Sequence, residues 1–268
     1  MRTYSIYILF FLFIAAPTLA KDLVLTSPPR ESEQKAREIF QPIADYIGTV
    51  LKRPVVFKYS DNWLTYQSEM QKDLYDIVFD GPHFNSYRLA KHQHTPLVKL
   101  PGQFIFVIIT KKDNNRINKL EDINGRTLCA PAPPNLAALT ALAQYTNPSR
   151  QPIMVDTKGF PQTYDALLKG KCAAAAMQIK IFEKLDKETK GTKILFESKG
   201  LPNQAISAST RLSSAERALL AQSLLSETGK KATAKLREEY NGQDFVPLKI
   251  EEYVGHESLL KDIWGFQI

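Results

Sequence analysis

Residues 23–60 read LVLTSPPRESEQKAREIFQPIADYIGTVLKRPVVFKYS, and the change of hydrophobic period inside this stretch decides the fold. Leu23 to Ser27 is a short apolar run closed by Pro28 and Pro29, the pattern of a buried strand running into a turn. From Ser32 to Leu51 the period becomes helical. Ala36, Ile39, Phe40, Ile43, Ala44, Ile47 and Leu51 make one apolar stripe, while Glu33, Lys35, Arg37, Glu38 and Asp45 stay polar. Val55 to Ser60 then returns to a strand pattern. A strand, a crossover helix and a second strand together build a parallel unit.

The same alternation continues outward. Strand patterns fall at Asp76 to Gly81, Phe104 to Lys111, Thr127 to Pro131, Pro152 to Thr157, Cys172 to Gln178, Ile194 to Ser198 and Gln204 to Thr210. Ser213 to Tyr240 reads as one helix, with Leu212, Leu219, Leu220, Leu224 and Leu225 apolar and Lys230, Lys231, Lys235 and Arg237 on a basic, solvent-facing side. The fold class expected is α/β, with mainly parallel sheets flanked by helices. No repeat, low-complexity tract or Gly/Ser linker divides the chain, so two domains would have to be joined by crossing strands. Pro101-Gly102 and Gly200-Leu201-Pro202, each beside a strand pattern, are the candidate crossings and hinges. A chain that leaves one lobe, builds another and returns leaves a cleft between them.

Of the 268 residues, 35 are Lys or Arg and 28 are Asp or Glu, a formal charge of +7 with 44% hydrophobic residues. This is globular composition, and it excludes a disordered chain or a multi-span membrane protein. The positive charge would suit nucleic acid, but the N-terminus points elsewhere. Arg2, the apolar run Ile6 to Ala16 and Thr18-Leu19-Ala20 have the three parts of a cleaved signal peptide, residues 1–20. A periplasmic protein is therefore expected, with no nucleic-acid partner and no membrane insertion after cleavage. Lacking a Cys after the cleavage site, it should carry no lipid anchor. In an oxidising compartment Cys129 and Cys172 read as a disulfide in preference to a catalytic thiol or a metal-ligand pair. Such a bridge closes a loop of about 43 residues and is worth ~4 kcal/mol in the chain-entropy model.

Four short motifs then resemble one family over nearly the whole mature chain. They are Ser27-Pro28-Pro29-Arg30-Glu31, Phe40-x-Pro42-Ile43-Ala44-x-Tyr46, Asp76-Ile77-Val78-Phe79-Asp80-Gly81-Pro82 and Leu120-x-Asp122-Ile123-x-Gly125-Arg126. Their order and spacing resemble the type II periplasmic solute-binding proteins of phosphate, phosphite and phosphonate uptake. The resemblance implies two lobes, residues 22–102 plus 203–268 and residues 103–202. It also implies a receptor, not an enzyme, that captures a small oxyanion between them and hands it to an ABC permease. A monomer without cofactor is expected. The alternatives are a same-fold receptor that presents its ligand to a membrane sensor kinase and, further off, a periplasmic enzyme on this scaffold.

An oxyanion site needs open N–H groups at helix starts, where the dipole also favours negative charge. Arg30 could add a bidentate contact at the first strand-to-helix junction, or snorkel over the surface. Asp80-Gly81-Pro82-His83 forms the second junction, with Gly81 admitting a ligand and Pro82 suited to the first helical position, though an ordinary turn reads equally well. Trp63 falls near where the resemblance implies an aromatic ligand contact, with core packing as the alternative. The third junction departs from the family: Ala132-Pro133-Pro134-Asn135 has no hydroxyl and lacks two backbone donors, with Asn135 left to cap a helix or reach a ligand. Gln204 stands where relatives that bind aminoalkyl ligands have a carboxylate, and no acid follows Gln178 until Glu183. A buried ammonium is thus disfavoured, while Gln103, Asn135 and Gln178 are candidates to compensate for the missing donors. No nucleophile elbow, zinc helix or P-loop occurs. His92-x-His94, with His83 upstream, reads as a polar turn in preference to a metal site.

Overall fold

A computed structural model describes residues 21–268 apart from positions 241, 264 and 267. The expected signal peptide, residues 1–20, lies outside the described residues. The chain runs β1 (Leu23–Thr26), α1 (Glu33–Leu51), β2 (Val55–Phe57), α2 (Trp63–Gln71), β3 (Ile77–Asp80), α3 (Pro82–His92) and β4 (Thr95–Lys99). It continues through β5 (Gln103–Phe104), β6 (Phe106–Lys111), β7 (Thr127–Pro131), α4 (Leu136–Leu142), β8 (Ile153–Thr157), α5 (Phe160–Leu168), β9 (Ala174–Gln178), α6 (Ile179–Asp186) and β10 (Thr192–Glu197). It closes with β11 (Leu201–Pro202), β12 (Ala205–Ala208), α7 (Ser214–Leu225), α8 (Glu227–Ala232), α9 (Ala234–Tyr240) and β13 (Val246–Pro247).

Two larger sheets result. The first has six strands in the order β13-β4-β12-β3-β1-β2, and the second has five in the order β10-β6-β9-β7-β8. In the first, β1 pairs parallel with β2 and β3, as their crossover helices require. In the second, β7 pairs parallel with β8 and β9. The other half of each sheet is antiparallel: β12 lies against β3 and β4, and β6 against β9 and β10. The sheets are therefore mixed where mainly parallel ones were expected. The strands responsible, β6 and β12, enter their sheets from the crossings and run against the crossover-built half.

The crossings form a small ladder of their own. β5 and β11 pair antiparallel, Phe104 opposite Leu201 and Gln103 opposite Pro202. Asn203 donates its side-chain amide to the Pro101 carbonyl at 2.9 Å, tying one crossing to the other. Gly102 turns between them at φ +82°, a conformation L side chains rarely adopt.

The apolar stripe of α1 is buried on the first sheet at Ala36, Ile39, Phe40, Ile43, Ala44 and Ile47. Ser32 starts the helix, its hydroxyl accepting from the Lys35 N–H at 3.4 Å. Cys129 on β7 and Cys172 just before β9 are bridged across neighbouring strands, with Cα atoms 5.8 Å apart. The single helix expected from Ser213 to Tyr240 is instead α7, α8 and α9. Ser226 adopts an extended conformation and its hydroxyl accepts from the Gly229 N–H at 3.1 Å, so it ends one helix and caps the next. No helix among the described residues is long and apolar enough to cross a membrane.

Candidate functional site

A cavity of about 480 Å³ opens where the two sheets meet the crossings. Arg30, Gly81 and His83 reach it from the first-sheet side, Asn135, Phe160 and Gln178 from the second, and Gln103 and Gln204 from the crossings.

The first-sheet wall is built around the start of α3. Asp80 ends β3 fully buried, and its carboxylate accepts from the Gly81 N–H at 2.9 Å. That N–H is therefore taken, and Pro82 has none to offer. The first helical donors left without a partner among the described residues are the N–H groups of His83 and Phe84. Gly81 makes this corner possible, since a Cβ there would meet the His83 ring at 3.0 Å. His83 is 2% exposed; neither ring nitrogen meets a protein partner at good hydrogen-bond geometry, and the Pro134 backbone carbonyl is the acceptor that interacts with the ring. Burial, reinforced by the Arg30 charge, holds its pKa down at about 3, so the ring is neutral. Arg30 is exposed and lines the cavity, and its guanidinium lies 5.9 Å from the Tyr240 ring centre. It forms no ion pair among the described residues.

Behind this corner sits a buried charge cluster. Arg88 on α3 is fully buried, bonded to the Tyr66 hydroxyl at 2.9 Å and to Asp80 at 3.4 Å, with the Tyr66 and Tyr75 rings 5.6 and 5.5 Å from its guanidinium carbon. Tyr66 also donates to Asp80. Burial pushes the Asp80 carboxyl up, against the pull of Arg88 and Arg30, and pushes the Tyr66 phenol well up. The cluster fixes β3 to α3 and α2, which positions Gly81 and His83.

The opposite wall is less polar. Pro134 lines it without a donor, and Asn135 uses its side-chain oxygen to accept from the Ala137 N–H at 2.9 Å, capping α4. Gln178 stands at the start of α6 with Lys180 beside it, and Phe160 opens α5 after Gly159. Trp63, at the start of α2, reaches the cavity from the first sheet.

Arg30, Trp63, Gly81, His83, Gln103, Asn135, Gln178 and Gln204 are thus brought to one cavity. Asp80 and Pro82 do not line it: the Asp80 carboxylate faces Arg88, Tyr66 and Gly81, and Pro82 is buried in the first turn of α3. His94 is hydrogen-bonded to Asp73 at 2.9 Å and His92 packs edge-on against Tyr87. Sequence reasoning missed Phe104, Phe106, Phe160, Lys180, Asn203, Glu239 and Tyr240. Gly159-Phe160 was open to detection as a further strand-to-helix junction. Glu239 and Tyr240 were not, because α9 is remote in sequence from every other lining segment.

Two mixed sheets, a paired crossing and a cavity at their junction define the type II periplasmic binding-protein architecture. The chain belongs to the periplasmic substrate-binding proteins of phosphonate ABC transporters, whose family model matches residues 25–253. No curated protein sequence matches it. Among solved structures, XAC2383 from Xanthomonas citri bound to ATP is similar at 14% identity and TM-score 0.70, over 91% of this chain and 100% of that one. PhnD1 from Prochlorococcus marinus in complex with methylphosphonate is similar at 14% identity and TM-score 0.60, over 91% and 98%. An ancestral arginine-binding protein bound to arginine follows at 16% identity and TM-score 0.50, over 84% and 100%. Three different ligands occur on this one fold, so the likeness fixes architecture and leaves the ligand to the cavity.

Proposed function

We propose that this chain is the receptor of an ABC importer, in which residues 22–102 plus 203–268 and residues 103–202 close as two lobes on a small anion. After removal of residues 1–20 it would act as a periplasmic monomer and present the closed form to its permease. The observation that carries the anion is the corner of the cavity where Arg30, without an ion pair, stands beside the open start of α3 and the neutral His83. Helix N–H groups and a guanidinium fork together stabilise an oxyanion that water no longer solvates. A phosphonate group is one such anion, and PhnD1 holds methylphosphonate on the same fold.

An ammonium-bearing ligand fits less well. Gln204 gives no charge, and the lining carboxylate of Glu239 is held by Lys35 at 2.7 Å. A thermal-shift panel of phosphate, phosphite, methylphosphonate, 2-aminoethylphosphonate, sulfate, carboxylates and arginine tests the reading. Stabilisation by at least one phosphorus oxyanion is expected, with 2-aminoethylphosphonate no better than methylphosphonate. Stabilisation by arginine alone would overturn it.

A further inference from the structure

We infer that the ligand of this cavity is an anion carrying a planar ring, a narrower claim that rests on the anion corner proposed above. Beyond that corner most of the apolar wall is aromatic: Trp63, Phe104, Phe106, Phe160 and Tyr240 line the same space, with Leu136 and Ile181 as its aliphatic part. Phe104 and Phe106 lie 6.0 Å apart, centre to centre, on the crossing side, and Tyr240 sits against Arg30 on the other. The cavity, at about 480 Å³, is of the size that takes a ligand of many heavy atoms. A bare tetrahedral anion at Arg30 would leave most of it to water facing ring carbons that cannot hydrogen-bond, an arrangement that favours replacement of the water by apolar ligand surface. Flat rings in offset or edge contact are the best match to aromatic walls.

An aromatic box also suits a quaternary ammonium. The charges decide against one here: Arg30 and Lys180 both line the space, and among the described residues Glu239, paired with Lys35, is its only carboxylate. The side chains of Gln178 and Gln204 also line it with no hydrogen-bond partner among the described residues. Each offers a donor and an acceptor to a heteroatom on the ring's edge.

Calorimetry with phenylphosphonate and methylphosphonate tests the inference, because the two share a head group and differ in the ring. Phenylphosphonate is expected to bind at least tenfold more tightly. The Phe104→Leu/Phe160→Leu double variant keeps apolar bulk at two half-buried positions and removes two rings. It should reduce that ratio towards one. Equal or weaker binding of phenylphosphonate, with methylphosphonate still bound, overturns the ring and leaves the anion receptor standing. A ratio unchanged in the double variant also overturns the assignment to these walls. Binding of neither compound overturns the ring inference, and the anion reading falls with it only if phosphate, phosphite and sulfate also fail in the thermal-shift panel.

Discussion

Lowering the pH from 7.5 to 5.0 should cost the ligand-free protein about 4 kcal/mol of stability through two buried histidines. His83 is 2% exposed and His94 is fully buried. Burial is the leading cause that lowers both, His83 to about 3 and His94 to about 4 from an ordinary 6.5. In the unfolded chain each takes up a proton near its ordinary value, while the folded form stays neutral. The stability they contribute is therefore complete above about pH 6.5 and falls as the pH drops towards 4 and 3. At pH 5.0 each has lost about 2 kcal/mol. Asp73, held down at about 2, stays ionised in the folded protein over this interval, so it accepts the His94 ring proton throughout. Asp80 works in the opposite sense, since burial raises its carboxyl and favours the protonated form in the folded state. A His83→Gln/His94→Gln variant separates the terms, because it keeps the Asp80 cluster and removes both imidazoles. Urea unfolding of both proteins at the two pH values is the assay. A fall in the wild-type unfolding free energy that is no larger than that of the variant would refute the reasoning.

Removing the Cys129–Cys172 bridge by double alanine substitution should lower stability by ~4 kcal/mol, read from urea unfolding; the parent, denatured without reductant, should show no titratable thiol. Arg30→Lys keeps the charge and loses the planar fork, so the affinity for an anion found in the thermal-shift panel should fall about tenfold, ~1.4 kcal/mol, with the melting temperature of the ligand-free protein unchanged. An unchanged dissociation constant would remove Arg30 from the site. Small-angle scattering should change when that anion saturates the protein, because bending confined to Gly102 and Gly200–Pro202 moves each sheet with its helices as a rigid body; superimposable curves would count against closure.

The crossover-built half of the fold was legible because its signals are local. The stripe of α1, the apolar runs of β1, β3 and β7, and the Gly/Pro punctuation at the crossings each lie within a few residues of one another. β4 was missed: it contains Pro96, which argues against a strand in sequence yet is accommodated at the register shift opposite Ser207. The breaks at Ser226 and Thr233 were missed because capping competes with helix continuation through side-chain geometry, and an apolar stripe does not report that. In the site, residues at strand-to-helix junctions were found because such junctions announce themselves. The roles within a junction were not. That the Gly81 N–H serves Asp80 depends on Arg88 and Tyr66 packing beneath it, and the surroundings of His83 depend on Arg30 and Pro134, both remote from it in sequence.

The position of β12 bears on how the chain can fold. It lies in the middle of the six-stranded sheet, between β3 and β4, yet it follows the whole of the second sheet in sequence. As the polypeptide emerges N-terminus first, β1, β2 and β3 can associate early, but β4 has no seat until residues beyond 205 arrive. The second sheet, contiguous from β6 to β10, has no such debt and can complete itself in the interval. Throughout that time the buried strand Ile77–Asp80 presents one unpaired edge, a ready template for intermolecular pairing. The nascent chain should therefore depend on a holdase most strongly just before its last quarter is made.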